Sequence, residues 1–312
     1  MNYPYANGVI KAIENNILDI SKLQKLFTVP KMEFLKALID LGYGSHDAKT
    51  LEELINIELM KTKALFSEIV PNHHLTDLFY FQNDAINIKA LYKKKIFNII
   101  QFDIYANGII SKETLEKVIF EEDYSLIDKK LTTLFQNINQ KISNLDNPRL
   151  ISTIIDQEIY NYLFSEIGSN KALLTYYQTK IDFSNILTFL RSRKLGWSLE
   201  QFQEMFIKGG KFNYNHFASI YHENEKQIIK SFYDDDDQAV SKGLQLYFEQ
   251  ENLNNLEKYF DEAMLKIMKA FRYDAFDIGP IIYYFLMKQA EAQNLRNIYG
   301  SNEPNLGLLL KY

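Results

Sequence analysis

Residues 65–95, LFSEIVPNHHLTDLFYFQNDAINIKALYKKK, and residues 163–193, LFSEIGSNKALLTYYQTKIDFSNILTFLRSR, align without a gap at an offset of 98. Ten of the 31 positions are identical: Leu65, Phe66, Ser67, Glu68, Ile69, Asn72, Leu75, Asp84, Asn87 and Ile88 match Leu163, Phe164, Ser165, Glu166, Ile167, Asn170, Leu173, Asp182, Asn185 and Ile186. Ordinary composition would give about two or three. Similar residues extend the match, Lys93 with Arg191 and Lys95 with Arg193 among them. A further echo lies outside it, YANGVI at 5–10 and YANGII at 105–110. A duplication of this length restricts the fold to copies of one structural unit. The two hexapeptides are expected to start equivalent lobes. Tyr5, Asn7 and Gly8, with Tyr105, Asn107 and Gly108, then serve as aromatic anchor, polar cap and small residue.

A third copy is fainter. Asp274 lies 92 positions beyond Asp182, with Asp277 three later and then Ile278. Its opening is expected in GGKFNYNHFASI at 209–220, where Phe212, Phe217 and Ile220 stand as Ile110, Leu115 and Val118 stand after the second hexapeptide. The expected division is 1–104, 105–207 and 208–312.

Each copy reads as helix. Only six prolines and 12 glycines punctuate the chain, which favours long helices over many short strands. Apolar residues at Leu51, Ile55, Leu59, Leu65, Phe66 and Ile69 fall near a 3.6-residue spacing. Asn147 followed by Pro148 predicts a capped helix start, and Pro280 another, running to about Tyr299 before Gly300. No run of alternating apolar and polar residues predicts a strand. The fold class is all-α, three related bundles.

Composition excludes several functions. With no cysteine, there is no disulfide, thiolate nucleophile or cysteine-based zinc site. A net charge of −5 is unlike a nucleic-acid binder, and the lone basic run, Lys93–Lys95, reads as a solvated face. The longest uncharged apolar run, IGPIIYYFLM at 278–287, is far below the roughly 18–20 residues that span a bilayer. MNYPYANG has neither the basic nor the apolar part of a signal peptide. Any membrane role is expected to be peripheral, through a partner.

The candidate chemical motifs fail one by one. The DDDD run at Asp234–Asp237 lacks the third carboxylate of a diphosphate-holding frame, since position 238 is Gln, although hard cations favour such oxygen sets. It reads as a solvated loop. No two of His46, His73, His74, His216 and His222 share the i, i+4 spacing with an intervening Glu that a helical zinc site needs. His73–His74 is expected in a turn after Pro71. Gly209–Gly210–Lys211 lacks the rest of a phosphate loop. No catalytic residue, cofactor or metal site is expected. The shared Asp-x-x-Asn-Ile (Asp84, Asn87, Ile88; Asp182, Asn185, Ile186) has two readings. One is an Asp capping a helix start. The other is a polar ring of equivalent positions around a common axis. In the basic pairs, residues two apart cannot share a helix face, so at most one of each pair can point inward.

Several stretches together resemble a known family: YANGVIKAIENNILDISKLQKLF, LIDLGYG, LEELINIELMKTKALF, FQNDAINIKALYKKK, IDFSNILTFLRSRKLGWSLEQF and FLMKQAEAQNLRNIYG. They are similar, in order and over nearly the whole chain, to the C subunit of archaeal-type and bacterial V-type ATP synthases. The eukaryotic relative is the d subunit of the vacuolar ATPase. The resemblance implies three pseudo-symmetric helical bundles arranged as a funnel with a central cavity. It implies a non-catalytic rotor component that couples the central shaft to the membrane rotor ring for proton or sodium transport. Ring and shaft subunits are then its partners, on the cytoplasmic side, with membrane association only through the ring. Segments 84–95, 182–193 and 274–290 become candidates for the inner wall. The candidate contact residues are Asp84, Asn87, Lys93, Lys95, Asp182, Asn185, Arg191, Arg193, Asp274 and Asp277, with Glu291 and Arg296 of EAQNLR. Two other classes are weighed against it. A helical-repeat scaffold with other partners is disfavoured because periods near 100 exceed the common 34–47-residue repeats. An all-α enzyme is disfavoured by the failed aspartate frame.

Overall fold

The computed structural model describes residues 2–98, 108–233, 238–301 and 305–312. It is all-α, with no strand among the described residues. In chain order the helices are α1 (Tyr3–Ile13), α2 (Ile20–Leu26), α3 (Phe34–Asp40), α4 (Leu51–Ile69), α5 (His73–Phe97), α6 (Lys112–Glu116), α7 (Lys129–Ile142), α8 (Pro148–Ile167), α9 (Lys171–Lys194), α10 (Leu199–Met205), α11 (Tyr214–Ile220), α12 (Glu225–Ser231), α13 (Ala239–Gln250), α14 (Leu253–Met268) and α15 (Gly279–Gly300). The DDDD run and Tyr105–Asn107 lie outside the described residues. The chain groups into two compact units, one of residues 1–76 with 261–312 and one of residues 77–260.

In the first unit, short polar side chains start the helices. Asn2 accepts from the Tyr5 amide ahead of Pro4, Asp19 from Lys22, and Thr50 from Glu53, each satisfying a donor that the first turn leaves free. Leu23, Leu26, Phe34, Leu38, Leu54, Ile55 and Leu295 form its core. The axis of this unit is α15. Sixteen of its residues are buried, from Gly279 to Ile298; the first half is apolar all round, and in the second half buried Lys288, Glu291 and Asn294 find polar partners. Pro280 sits at its first turn, as the sequence predicts, and Gly300 is its last residue. Phe66 of α4 packs on Tyr284 and Phe285 at 6.3 and 6.2 Å between ring centres.

The second unit is built on α5, α8 and α9. Asn147 caps α8 with Pro148 in its first turn, as predicted. Asn170 caps α9, and Ser198 with Gln201 forms a reciprocal capping box at α10. The α9 helix is buried along most of its length. Its Tyr177 hydroxyl donates to the Leu78 carbonyl at 2.6 Å, fixing α9 against α5. Phe189, Phe202, Phe217 and Phe232 are fully buried and pack edge-on or tilted at 5.4–5.8 Å, geometry that aromatic quadrupoles favour. His73 and His74 begin α5 and are exposed, so the turn after Pro71 ends at Asn72 and holds neither histidine, contrary to expectation.

The hexapeptides do not fold alike. Tyr5–Ile10 lies inside α1. Gly108–Ile110 is a bend leading to Ser111, the cap of α6. Asn2 and Pro4 dictate helix for the first. A contact from α5 dictates a bend for the second. Over the residues described in both, 8–10 and 108–110, the two hexapeptides therefore differ in local conformation.

Candidate functional site

The Asp-x-x-Asn motif proves to be a clasp on backbone. Asp84 is in the middle of α5 and fully buried. Its carboxylate accepts from the amides of Ile109 at 2.7 Å and Ile110 at 3.0 Å. Asp182, buried in the middle of α9, accepts from Lys211 at 3.1 Å and Phe212 at 3.2 Å. Neither caps its own helix, so the capping expectation is corrected. Each holds the residues just before the next short helix, α6 capped by Ser111 or α11 capped by Asn213. Three residues on, Asn185 closes a two-bond clasp on Ile207, accepting from its amide at 2.9 Å and donating to its carbonyl at 2.7 Å. Buried amides and carbonyls require such partners.

The third copy carries the same device at a different place. Glu291 of α15, fully buried, accepts from the amide of Leu18 at 2.6 Å. Leu18 precedes Asp19, the cap of α2. Asn294, three residues on and also fully buried, exchanges two bonds with Leu310 at 2.6 and 3.0 Å. The third pair is therefore Glu291 with Asn294, and the expected alignment of Asp274 and Asp277 with the other copies is overturned. Both residues lie in the turn before α15. Asp274 accepts from the Phe276 amide and Asp277 from the Ile278 amide. Asn7 of α1 donates to the carbonyls of Asp274, Ala275 and Asp277 at 3.0–3.2 Å and so pins this turn. Asn294 escaped the sequence reading. The signal was there, since EAQNL repeats DAINI and DFSNI with an acid and an amide three apart.

The three openings now superpose in sequence as Asn16–Asp19, Gly108–Ser111 and Gly210–Asn213. Four and seven residues past each cap lie buried Leu23 and Leu26, Leu115 and Val118, Phe217 and Ile220. The succession is cyclic: α5 holds the second opening, α9 the third, and α15 the first. Two openings begin with glycine because the carboxylate crowds them. A Cβ on Gly108 would stand 2.9 Å from Asp84 Cγ, and one on Gly210 3.0 Å from Asp182 Cγ. The first opening has Asn16 at this place, and there the acid is the longer Glu.

Glu291 also belongs to a buried charge cluster. Lys288, 2% exposed, donates to Glu291 at 2.6 Å and contacts Glu58 at 2.7 Å. Burial is the largest influence on this ammonium and pulls its pKa down. The two carboxylates outweigh it, so the pKa is raised.

The basic pairs diverge as their two-residue spacing requires. Lys95 donates to the Ile119 carbonyl at 2.6 Å and Arg193 to the Glu223 carbonyl at 2.8 Å. Lys93 and Arg191 instead line one cavity of about 770 Å³ in the second unit, with Arg149, Ser152, Asp156, Lys194 and Trp197. The Arg149 guanidinium lies 5.4 Å from the Trp197 ring centre. Asp156 is paired with Lys89 at 2.8 Å, and Arg191 with Glu257. Arg296 forms a two-bond pair with Glu52 at 2.8 Å. Of the expected contact residues, Asp84, Asn87, Asp182, Asn185 and Glu291 are thus buried within their own chain. Lys93 and Arg191 face open space. No group of three or more His, Asp or Glu that could hold a metal occurs among the described residues. No helix there is long and apolar enough to cross a membrane.

Comparison with known proteins gives a consistent result. The family described as ATP synthase (C/AC39) subunit matches residues 6–305. The A-type ATP synthase C subunit of Thermococcus kodakarensis is 23% identical over 94% of this chain and 85% of its own length. That of Methanosarcina barkeri is 22% identical over 98% and 90%. That of Methanocaldococcus jannaschii is 23% identical over 97% and 84%.

Proposed function

Because the chain belongs to the ATP synthase (C/AC39) subunit family, we propose that it is the non-catalytic stalk subunit that joins the central shaft to the membrane rotor ring of a rotary A/V-type ATPase. It carries torque between ATP chemistry and proton or sodium movement. Its partners are the ring and shaft subunits, it lies on the cytoplasmic side, and it meets the membrane only through the ring. The division into lobes 1–104, 105–207 and 208–312 belongs to this reading, as three wedges of a funnel, with the clasps as the joints that make the body stiff. The observation that carries it is the convergence of Lys93 and Arg191. They are equivalent residues of two copies, and they line one cavity. A socket of repeated wedges needs that arrangement. Packed helices supply the rigidity that a torque adaptor requires. The experiment is reconstitution of the full chain with purified shaft and ring subunits, read by co-sedimentation. Recovery of a ternary complex is expected. A chain that binds neither refutes the reading.

A further inference from the structure

The cavity of the second unit is basic. Four cationic side chains line it, Lys93, Arg149, Arg191 and Lys194. Its one carboxylate, Asp156, is already paired with Lys89, and Arg191 with Glu257. Among the described residues Lys93, Arg149 and Lys194 have no carboxylate partner, so three positive charges remain uncompensated. The first turn of α8, at Pro148–Arg149, adds the positive end of a 20-residue helix to the same wall. The rest of the lining is of two kinds. Ser152, Ser184 and Thr188 offer hydroxyls, while Trp197, Leu195 and Met205 offer apolar surface. This charge stands out in a chain whose net charge is −5.

We infer that this cavity seats an acidic protrusion of the shaft, a helix end that carries carboxylates around an apolar knob. The inference rests on the proposed stalk function and deepens it by giving the partner's chemistry. The occupant is argued from charge. Half-exposed ammonium groups select carboxylates by steering and register, Arg149 stacked on Trp197 offers a planar fork for a carboxylate, and the apolar patch favours a ligand that also brings apolar surface. A cavity of about 770 Å³ has room for a few side chains, so it holds a knob and not a whole helix.

The test measures binding of the purified shaft subunits to the full chain at 50 and 500 mM NaCl. Lys93→Glu and Lys194→Glu are each expected to weaken binding about tenfold at low salt, with most of the difference lost at high salt, where the Debye length falls to a few Å. Lys93→Arg keeps wild-type affinity. Lys226→Glu, the same charge change outside the cavity lining, stays within about twofold. Ser152→Trp, which fills the cavity without altering charge, weakens binding at both salt concentrations. If the wild-type chain binds the shaft and both Lys→Glu variants bind equally well, the acidic-seat inference is overturned and the stalk function stands. A wild-type chain that fails to bind the shaft overturns both.

Discussion

Gly8 and Gly108 occupy the same place in two nearly identical hexapeptides, and the same substitution should act on them with opposite sign. In α1, a Cβ on Gly8 would meet nothing within 4 Å. Ala there restricts the unfolded chain and suits the helix, a gain of about 0.5–1 kcal/mol. At Gly108 the Cβ would stand 2.9 Å from Asp84 Cγ and closer still to its oxygen. The carboxylate is fully buried and cannot move without loosening its bonds to Ile109 and Ile110. Overpacking costs about 1–3 kcal/mol, and weakening a charge-assisted hydrogen bond about 1.5–3 kcal/mol. Gly108→Ala should therefore destabilise by about 2–4 kcal/mol. At about 2–4 °C per kcal/mol, thermal melts followed by circular dichroism should fall by about 5–15 °C for Gly108→Ala and rise slightly for Gly8→Ala. A double-mutant cycle isolates the cause. In an Asp84→Ala background no carboxylate remains to be struck, so adding Gly108→Ala should cost less than in the wild type. Equal melting temperatures for the two single variants, or a Gly108→Ala penalty unchanged by Asp84→Ala, would refute the clasp as the reason for this glycine.

Other consequences can be checked alongside. Asn294→Ala leaves the Leu310 amide and carbonyl without their buried partners, a loss of about 2–4 kcal/mol. Hydrogen exchange at Leu310 should quicken well before the rest of the first unit. Lys288→Met removes the cation between Glu58 and Glu291, and breaking such a buried set costs about 3–5 kcal/mol. The melting temperature of this variant should recover part of the difference on acidification, as the stranded carboxyls take up protons. Glu14 and Glu52 behave in the opposite sense. Burial raises the Glu14 pKa, but Arg272 and Lys11 outweigh it and hold it below its usual value, and the Arg296 hydrogen bond lowers that of Glu52. Their stabilisation is complete above the ordinary glutamate range and is lost as pH falls through the lowered values. Glu14→Gln should thus cost about 0.5–1 kcal/mol at pH 7 and nothing near pH 2, read by urea midpoints at the two pH values.

The helices and the residues of two of the three clasps, though not the role of those residues, could be read from residue order because their signals are local. Asn147–Pro148 caps a helix wherever it stands. Asp84 and Asp182 lie in segments of equal length, so a gapless shift finds them. The third clasp hid because its constraint is physical and not literal. It needs an acid and an amide three apart on a buried helix, and Glu291 with Asn294 meets that need after an insertion of 11 residues relative to the earlier 98-residue spacing. Asp274 and Asp277 imitated the pattern on a turn. The hexapeptide misled for a related reason. Six residues do not fix their own conformation when Asn2 and Pro4 start a helix in one case and Asp84 grips the backbone in the other. Which of Lys93 and Lys95 lines the cavity depends on what packs beside α5, and no spacing rule contains that.

The clasp between Glu291 and Leu18 has a consequence for the order in which the protein comes into being. The second unit is one continuous stretch, residues 77–260, and can assemble as soon as it leaves the ribosome. The first 76 residues are made earlier but lack α15, which supplies their central helix and their last clasp. About 200 further residues must be synthesised first, a delay of roughly 10–40 s at about 5–20 residues per second. During that interval Leu18, Leu23 and Leu26 have only α3 and α4 to pack on, and the side of their core that Ala292, Leu295 and Ile298 close stays open. Residues 1–76, made before the second unit, are thus completed after it, and they are a part that needs chaperone cover.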